Sequence, residues 1–580
     1  MKRIMVIGCP GSGKSTFSRE LHARTGIPLY YLDRMYWNAD KTTVEKAVFR
    51  ERLAQAVALD EWIIDGNYGS TLEMRMEACD TVVLLDYPTE VCLQGVQSRK
   101  GKSRPDMPWI EAENETDEEF MDFIRNFTAE SRPKIMMLLE KYADKEIHVF
   151  NTRAEADAFL HRFGMSDSAQ TILASMRQAE EIAFGCEKCV AEDIFTQADI
   201  EDAWARLRRF ASYVRTAFPE TQSTDGIIDS PVQRVDAAKA ALERMENRTI
   251  HGSLFVKRDD SLAVCGSLKA RGGLYTVFKH AEKIAMEHGM LREEDDYAIL
   301  CTEPYRELFS CYRISVGSTG NLGMSIGLSG KKLGFDVTVY MSEEAKEWKK
   351  NKLRAAGVHV HEFQGDYTSA LKLARRDAEQ DPATYFIDDE DSADLFLGYS
   401  AASKTLADQL AAQGIRVDAE HPLIVYLPCG VGGGPGGITF GLKKAFGEHV
   451  YCCFGEPTQM PCMALAMAQS RSDVSVYDIG LGNGTVADGL ACSSPSRLAY
   501  DVMRGMLDGC FTVTDAHALR LTKLLYDTTG IKAEPSSCVA LGGVGRMPAV
   551  PAAENAVHLV WLTGGSLVPE EEWRKIGVIS

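Results

Sequence analysis

The sequence predicts an α/β fold built as two successive units, each around a parallel sheet covered by helices. Three observations carry this reading. The chain has 580 residues, too many for one core, because single hydrophobic cores stop growing at about 250–300 residues. Strand-like apolar runs alternate with helical patterns from the N-terminus to about residue 163 and again from residue 315 onward, and such alternation favours a parallel sheet with helical crossovers. Between them, at Gly164-Met165-Ser166-Asp167-Ser168, the pattern lapses into a short polar link. The expected organisation is a first domain at 1–163, a linker at 164–170 and a second domain at 171–580, with a smaller subdomain at about 310–410.

In the first domain the strand-like runs lie at 3–7, 62–64, 81–85 and 147–150. The second opens with helices. Thr196-x-x-Asp199 has the form of a capping box, and apolar residues follow at helical spacing from Ile200 through Ala203, Trp204, Leu207, Phe210, Ala211 and Val214 to Phe218. Beyond Ser315 a strand at 337–341, a helix at 345–356, a strand at 358–363 and a helix at 369–380 are expected, with later strands at 423–427 and 558–562. No internal repeat interrupts this order.

With 45% hydrophobic and 25% charged residues the composition is that of ordinary globular protein. A formal charge of −19 disfavours an extended nucleic-acid surface, which needs a basic stripe. A local anion site remains open, since backbone N–H groups hold phosphate without net charge. No signal-peptide pattern opens the chain and no run nears the roughly 20 apolar residues of a membrane span. A cytoplasmic protein is expected. The 15 cysteines are scattered, as reduced thiols are; Cys186-x-x-Cys189 and Cys452-Cys453 lack a second pair at zinc-ligand spacing.

The first domain begins with Gly8-Cys9-Pro10-Gly11-Ser12-Gly13-Lys14-Ser15, followed by Thr16. This is a complete phosphate loop between a strand and a helix. Gly8, Gly11 and Gly13 let the backbone N–H groups, with Ser12 and Thr16, curl around phosphate oxygens; Lys14 adds charge and the Ser15 hydroxyl reaches Mg²⁺. Asp86, after the apolar run 82–85, has the place of a carboxylate that holds the metal's water shell. Arg99 and Arg104, in the basic stretch 99–105, are expected to close as a lid over phosphate. Asp33, ahead of Tyr36-Trp37, is a candidate to hold an acceptor. The motifs imply ATP with Mg²⁺.

Four stretches of the second domain carry a different chemistry. Gly266-Ser267-Leu268-Lys269-Ala270-Arg271-Gly272-Gly273 sets a lysine among small residues, with room for a bulky group at its amine. Ser318-Thr319-Gly320-Asn321-Leu322-Gly323, between an apolar run and a helix, offers hydroxyls and N–H groups to a carboxylate, or serves only as an N-capping turn. Cys429-Gly430-Val431-Gly432-Gly433-Gly434-Pro435-Gly436-Gly437 follows a strand and lets consecutive N–H groups converge on phosphate. Thr563-Gly564-Gly565-Ser566 sets a neutral hydroxyl after another strand. An amine, a carboxylate grip, a phosphate cup and a partner for a ring nitrogen are the parts a pyridoxal-phosphate site needs.

Their order along the chain resembles the tryptophan-synthase-β-like pyridoxal-phosphate family over about 170–580, and within it the D-serine dehydratases. That resemblance implies fold type II and β-elimination of D-serine to pyruvate and ammonia; L-serine or L-threonine dehydratases, with the same cradle, are the alternative. It implies Lys269 as the cofactor-bonding lysine and proton shuttle, and Gly430, Gly432, Gly433 and Gly434 as the phosphate cup. Asn321 would meet the ring oxygen, Ser318 and Thr319 the substrate carboxylate, Thr563 the ring nitrogen, and Glu456 a K⁺ ion. Cys265, Gln459-Met460 and a short 540–557 stretch depart from the family's pattern. Residues 1–163 resemble adenylate-kinase-like P-loop kinases, closest to the topology-modulation type, through 33–37, Asp65-Gly66-Asn67-Tyr68 and Arg104-Pro105-Asp106. This implies a five-stranded parallel sheet and phosphoryl transfer from ATP, or a nucleotide sensor that regulates the lyase.

Overall fold

Runs that are apolar without alternation belong in strands covered on both faces. Ile4–Ile7 and Val82–Leu85 are such runs, and in a computed structural model each of their side chains is buried. The structure describes all residues except 39–41, 100–105, 108–117, 161–166, 190–192, 319, 344, 364–373, 377, 380, 382, 483, 549–553 and 580. The chain forms two compact units, Met1–Gln170 and Thr171–Ser580.

In the first unit, strands β1 (Arg3–Gly8), β2 (Leu29–Tyr31), β3 (Trp62–Asp65), β4 (Thr81–Leu85) and β5 (Glu146–Phe150) make one sheet in the order β2-β3-β1-β4-β5. Every pairing is parallel, as the alternation predicts. The helix Lys14–Thr25 follows β1 directly. The strand β2 is half-buried and only three residues long, too short to show a period, which is why the expected strand runs pass over it.

The second unit holds two sheets. Strands β9 (Arg313–Gly317), β10 (Asp336–Ser342), β11 (His359–Phe363) and β12 (Thr384–Ile387) form a four-stranded parallel sheet in the order β11-β10-β9-β12. The larger sheet runs β6-β15-β14-β13-β16-β8-β7, from β6 (Ala183–Gly185), β7 (Val232–Arg234), β8 (Ser253–Arg258), β13 (Leu423–Pro428), β14 (Val450–Pro457), β15 (Gly509–Val513) and β16 (Val557–Leu562). Its five inner strands are parallel and only the edge strands β6 and β7 are antiparallel. The helix expected after Thr196 runs Gln197–Arg209, with the Thr196 N–H donating to Asp199 at 2.7 Å. It breaks at Phe210, and a second helix, Ala211–Ala217, completes the apolar stripe. Most of the helix expected at 369–380 lies outside the described residues. Among the described residues no helix is long and apolar enough to cross a membrane.

Candidate active site

In open parallel sheets ligands gather beyond the carboxyl ends of the strands, and the second unit's motifs all lie there. Strand β13 ends at Pro428 and the chain turns through Gly430–Gly432 into the cup helix, Gly433–Phe446. Gly432 sits at φ +110°, a left-handed conformation that calls for glycine, and a Cβ there would lie 2.4 Å from the flexible end of Met463. The helix therefore begins with free N–H groups at the end of a strand, which is the arrangement an anion needs.

Lys269 opens the lysine helix, Lys269–Glu287. Its anchorage comes from distant segments. The Leu268 N–H donates to the Thr563 carbonyl at 2.8 Å, Ser267 bridges to Gly564, and the Ser325 hydroxyl donates to the Lys269 carbonyl at 2.9 Å. A Cβ at Gly434 would sit 3.4 Å from Leu268 Cδ2, and one at Gly433 3.7 Å from the Asp389 carbonyl. The lysine segment and the glycine turn thus lie side by side.

Lys269 Nζ is 3.3 Å from Asp389 Oδ1, with the side chains 25% and 13% exposed respectively. Burial alone would lower the amine's pKa, but the charge of Asp389, aided by Tyr399 and Cys492, raises it above the ordinary lysine value. Asp389 stands in the acidic run Asp388-Asp389-Glu390-Asp391 that links β12 to the helix Ala393–Ser400. Sequence reasoning gave it no role. The only signal was a cluster of acids between a strand and a helix, which ordinarily means a solvated loop.

Asn321 heads the helix Asn321–Leu333 and its Nδ2 donates to Glu534 Oε2 at 3.3 Å. Glu534 is buried, and burial pushes its carboxyl up. The Ser318 hydroxyl oxygen accepts the N–H groups of Gly323 at 3.0 Å and Gly320 at 3.3 Å, so it caps this helix and retains its own hydrogen. Thr319 lies outside the described residues. Thr563 Oγ1 is 3.0 Å from Ser537 Oγ, which also accepts the Thr563 and Gly564 N–H groups at 2.8 Å. Glu534 and Ser537 orient two of the expected contact residues, and neither was anticipated.

Glu456, at 0% exposure, accepts the N–H groups of Met463 at 2.9 Å and Ala464 at 2.6 Å, capping the helix Cys462–Gln469. Burial nevertheless pushes its carboxyl up to about 8. Among the described residues no group of three or more His, Cys, Asp and Glu side chains could hold a metal ion.

A pyridoxal-phosphate site fits these residues on structural grounds: an amine beside a carboxylate, a side-chain-free cradle at a helix head, and a fixed neutral hydroxyl. The sequence profile of the pyridoxal-phosphate dependent enzymes matches residues 225–564. The chain belongs to that family. It is 50% identical over 392 residues to a protein of Chromobacterium violaceum named probable D-serine dehydratase, covering 65% of this chain and 87% of that one. It is also 50% identical over 392 residues to a D-serine dehydratase of Yersinia enterocolitica, covering 66% and 88%. Holo diaminopropionate ammonia lyase from Escherichia coli shares the fold, with a TM-score of 0.55 at 16% identity, over 68% of this chain and 96% of that one. In this family member the glycine turn at 430–434, Lys269 and Thr563 follow the ends of β13, β8 and β16.

In the first unit the glycine loop follows β1. Gly11 at φ +84° and Gly13 at φ +91° are left-handed, and a Cβ on Gly11 would strike the Cys92 carbonyl at 2.0 Å. Lys14 Nζ donates to the Cys9 carbonyl at 3.1 Å, Ser15 Oγ to Asp106 at 3.2 Å, and Thr16 Oγ1 accepts from Arg19 at 3.2 Å. The Asn67 side chain brackets Gly8, accepting its N–H at 3.0 Å and donating to its carbonyl at 2.7 Å. Ser12 Oγ is buried without a hydrogen-bond partner among the described residues.

Asp86 follows the end of β4, where the apolar run places it. Both of its oxygens are taken by Arg132, at 2.8–2.9 Å. Two carboxylates lie beside the loop: Asp106, which accepts from Ser15, and Asp65, the last residue of β3, which burial raises to about 6 against the downward pull of Lys14 and Ser15. The two strands β3 and β4 both flank β1 and both lead into an aspartate, so an apolar run ending in Asp fits either. Arg132, 46 residues beyond Asp86, engages Asp86, while Lys14 and Ser15 act on Asp65. Asp33 accepts the Tyr68 hydroxyl at 2.8 Å. Arg99 ends the helix Thr89–Arg99, but its side chain and the whole of Arg104 lie outside the described residues.

Proposed function

We propose that the second unit catalyses the β-elimination of D-serine to pyruvate and ammonia. The observation that carries this reading is the convergence of Lys269, Asp389 and the glycine turn at one place in a chain half-identical to D-serine dehydratases. Bound pyridoxal phosphate supplies an aldehyde for the amine and a ring that draws electrons from the carbon losing its proton. Lys269 is the amine that would hold the aldehyde and, when free, would accept the Cα proton at Nζ. Asp389 balances the ammonium so formed. Asn321, steadied by Glu534, meets the ring oxygen, while Gly430, Gly432, Gly433 and Gly434 present N–H groups to the phosphate. Ser318 keeps its hydrogen to donate to the substrate carboxylate, beside Thr319. Thr563 offers the ring nitrogen a neutral partner. A hydroxyl, unlike a carboxylate, does not keep that nitrogen protonated, so charge at Cα is less stabilised and prompt loss of the β-hydroxyl is favoured. Glu456 is the candidate K⁺ ligand.

The test is pyruvate release by the purified, yellow protein from D-serine, L-serine and L-threonine. D-serine is expected to be consumed and the L-amino acids far more slowly; the reverse order removes the substrate assignment. Lys269→Ala is expected to lose both turnover and visible absorbance. A wild-type preparation that stays colourless with added pyridoxal phosphate removes the cofactor assignment as well.

A separate observation favours a second activity. The left-handed glycines and Lys14 at the end of β1 support ATP binding by residues 1–163, with Ser15 and Asp65 at the Mg²⁺ position. Whether the unit transfers phosphate or senses nucleotide depends on an acceptor, for which Asp33 and Tyr68 are the candidate contacts.

A further inference from the structure

The helix Ala393–Ser400 places Tyr399 between the lysine helix and the cup helix, and both neighbours give up side chains to admit its ring. A Cβ on Gly272 would lie 2.5 Å from Tyr399 Cζ, and one on Gly437 2.8 Å from Tyr399 Cβ. On the side of the cup, the Gly434 Cβ position is 3.7 Å from Cζ. The hydroxyl carried by Cζ therefore stands at the head of the cup helix. Lys269 Nζ is 6.0 Å from the ring centroid.

The ring is 0% exposed and its hydroxyl makes no well-formed hydrogen bond among the described residues, the Lys269 amine being the neighbour that acts on it. An unpaired buried hydroxyl is costly, and phenylalanine would fill the same space without that cost. Burial keeps the phenol protonated in spite of the opposing pull of the Lys269 ammonium, so the group is a donor. It lies beside the first turn of a 14-residue helix, whose N–H groups point toward that end. A neutral O–H beside converging N–H groups recognises an anion.

We propose that the Tyr399 hydroxyl is a ligand of the cofactor phosphate, donating to it at the head of the cup helix on the side nearest Lys269. This rests on the pyridoxal-phosphate seat proposed above and not on the identity of the amino-acid substrate. Phosphate binding in this family member then does not depend on backbone alone. One side chain, delivered by a helix outside the glycine turn, ties the phosphate cup to the lysine helix.

The experiment compares wild type with Tyr399→Phe as full-length protein, since Phe keeps the ring and its packing. Dissociation constants are measured for pyridoxal phosphate and for pyridoxal, which lacks the phosphate. The expected result is affinity for pyridoxal phosphate about tenfold weaker or more in the variant, the scale of one hydrogen bond to a charged group, with pyridoxal affinity unchanged. The ³¹P resonance of the bound cofactor should move, and the cofactor-free variant should melt at or above the wild-type temperature because the unpaired hydroxyl is gone. Equal losses for both ligands would place the hydroxyl's action at the amine instead, and unchanged affinity with an unmoved ³¹P resonance would leave it a packing residue; either overturns the proposal. Wild-type protein that binds neither ligand would instead defeat the cofactor seat itself, a different failure.

Discussion

A lysine that must bond an aldehyde has to spend part of its time uncharged, and Asp389 works against that. Its carboxylate, 3.3 Å from Lys269 Nζ, holds the amine's pKa above the usual value although burial pulls the other way. The neutral fraction grows tenfold for each unit by which the pKa falls. Removing the carboxylate lowers the pKa, so Asp389→Asn is expected to capture pyridoxal phosphate faster near pH 7–8, with the rate–pH curve displaced toward lower pH. Turnover is expected to drop by about ten- to a hundredfold, because the ammonium formed after proton abstraction loses its partner. Stopped-flow absorbance on mixing cofactor-free protein with cofactor gives the curve; an undisplaced curve would separate Asp389 from the amine's chemistry. The same pair shows what the sequence conceals at this scale. Lys269 and the glycine turn are legible because each motif is contiguous. Asp389 is 120 residues from Lys269 and Glu534 is 213 from Asn321, and short polar residues in loops give no sign of which distant side chain they will meet.

Elements were easier to read than their contacts. Continuous apolar runs announced β13 and β16 but not the other inner strands β8, β14 and β15, and nothing in them states the order β6-β15-β14-β13-β16-β8-β7, which follows from how helices pack across the sheet. Packing of the helix Ala393–Ser400 on the cup helix is set by glycines: a Cβ on Gly437 would meet the Phe396 carbonyl at 2.3 Å, and one on Gly441 the Ser400 carbonyl at 2.2 Å. In a run read as phosphate-binding, Gly437 is a packing residue. Gly441→Ala is a clean probe because it lies two turns past the cup's first residue. Helix propensity alone would favour alanine by about 0.8–1 kcal/mol. Overpacking against backbone, which cannot swing aside, costs about 1–3 kcal/mol. The clash is expected to win, lowering the urea midpoint of the second unit's transition with its slope unchanged. A variant as stable as wild type would mean that the two helices separate readily.

At the scale of the whole chain, each unit encloses a core of its own. The buried cluster of the first unit draws only on residues between Ile4 and Leu160, and the cluster beneath the large sheet only on residues between Val235 and Leu562. Units with separate cores unfold as separate transitions unless their interface couples them. Calorimetry of the full chain is therefore expected to show two transitions, and ligands should tell them apart. A ligand at a hundred times its dissociation constant stabilises its unit by about 2.7 kcal/mol. In a unit of 170 residues this shifts the midpoint by roughly 5–10 °C. ATP with Mg²⁺ should raise one transition and pyridoxal phosphate only the other. A phosphate loop that has lost its ligand leaves the first transition still when ATP is added, and that outcome would end the nucleotide reading. Both transitions rising with either ligand would instead mean that the sites are energetically linked, since a ligand moves an equilibrium only by its differential affinity for the two states; nucleotide should then alter the rate of D-serine loss in the intact chain.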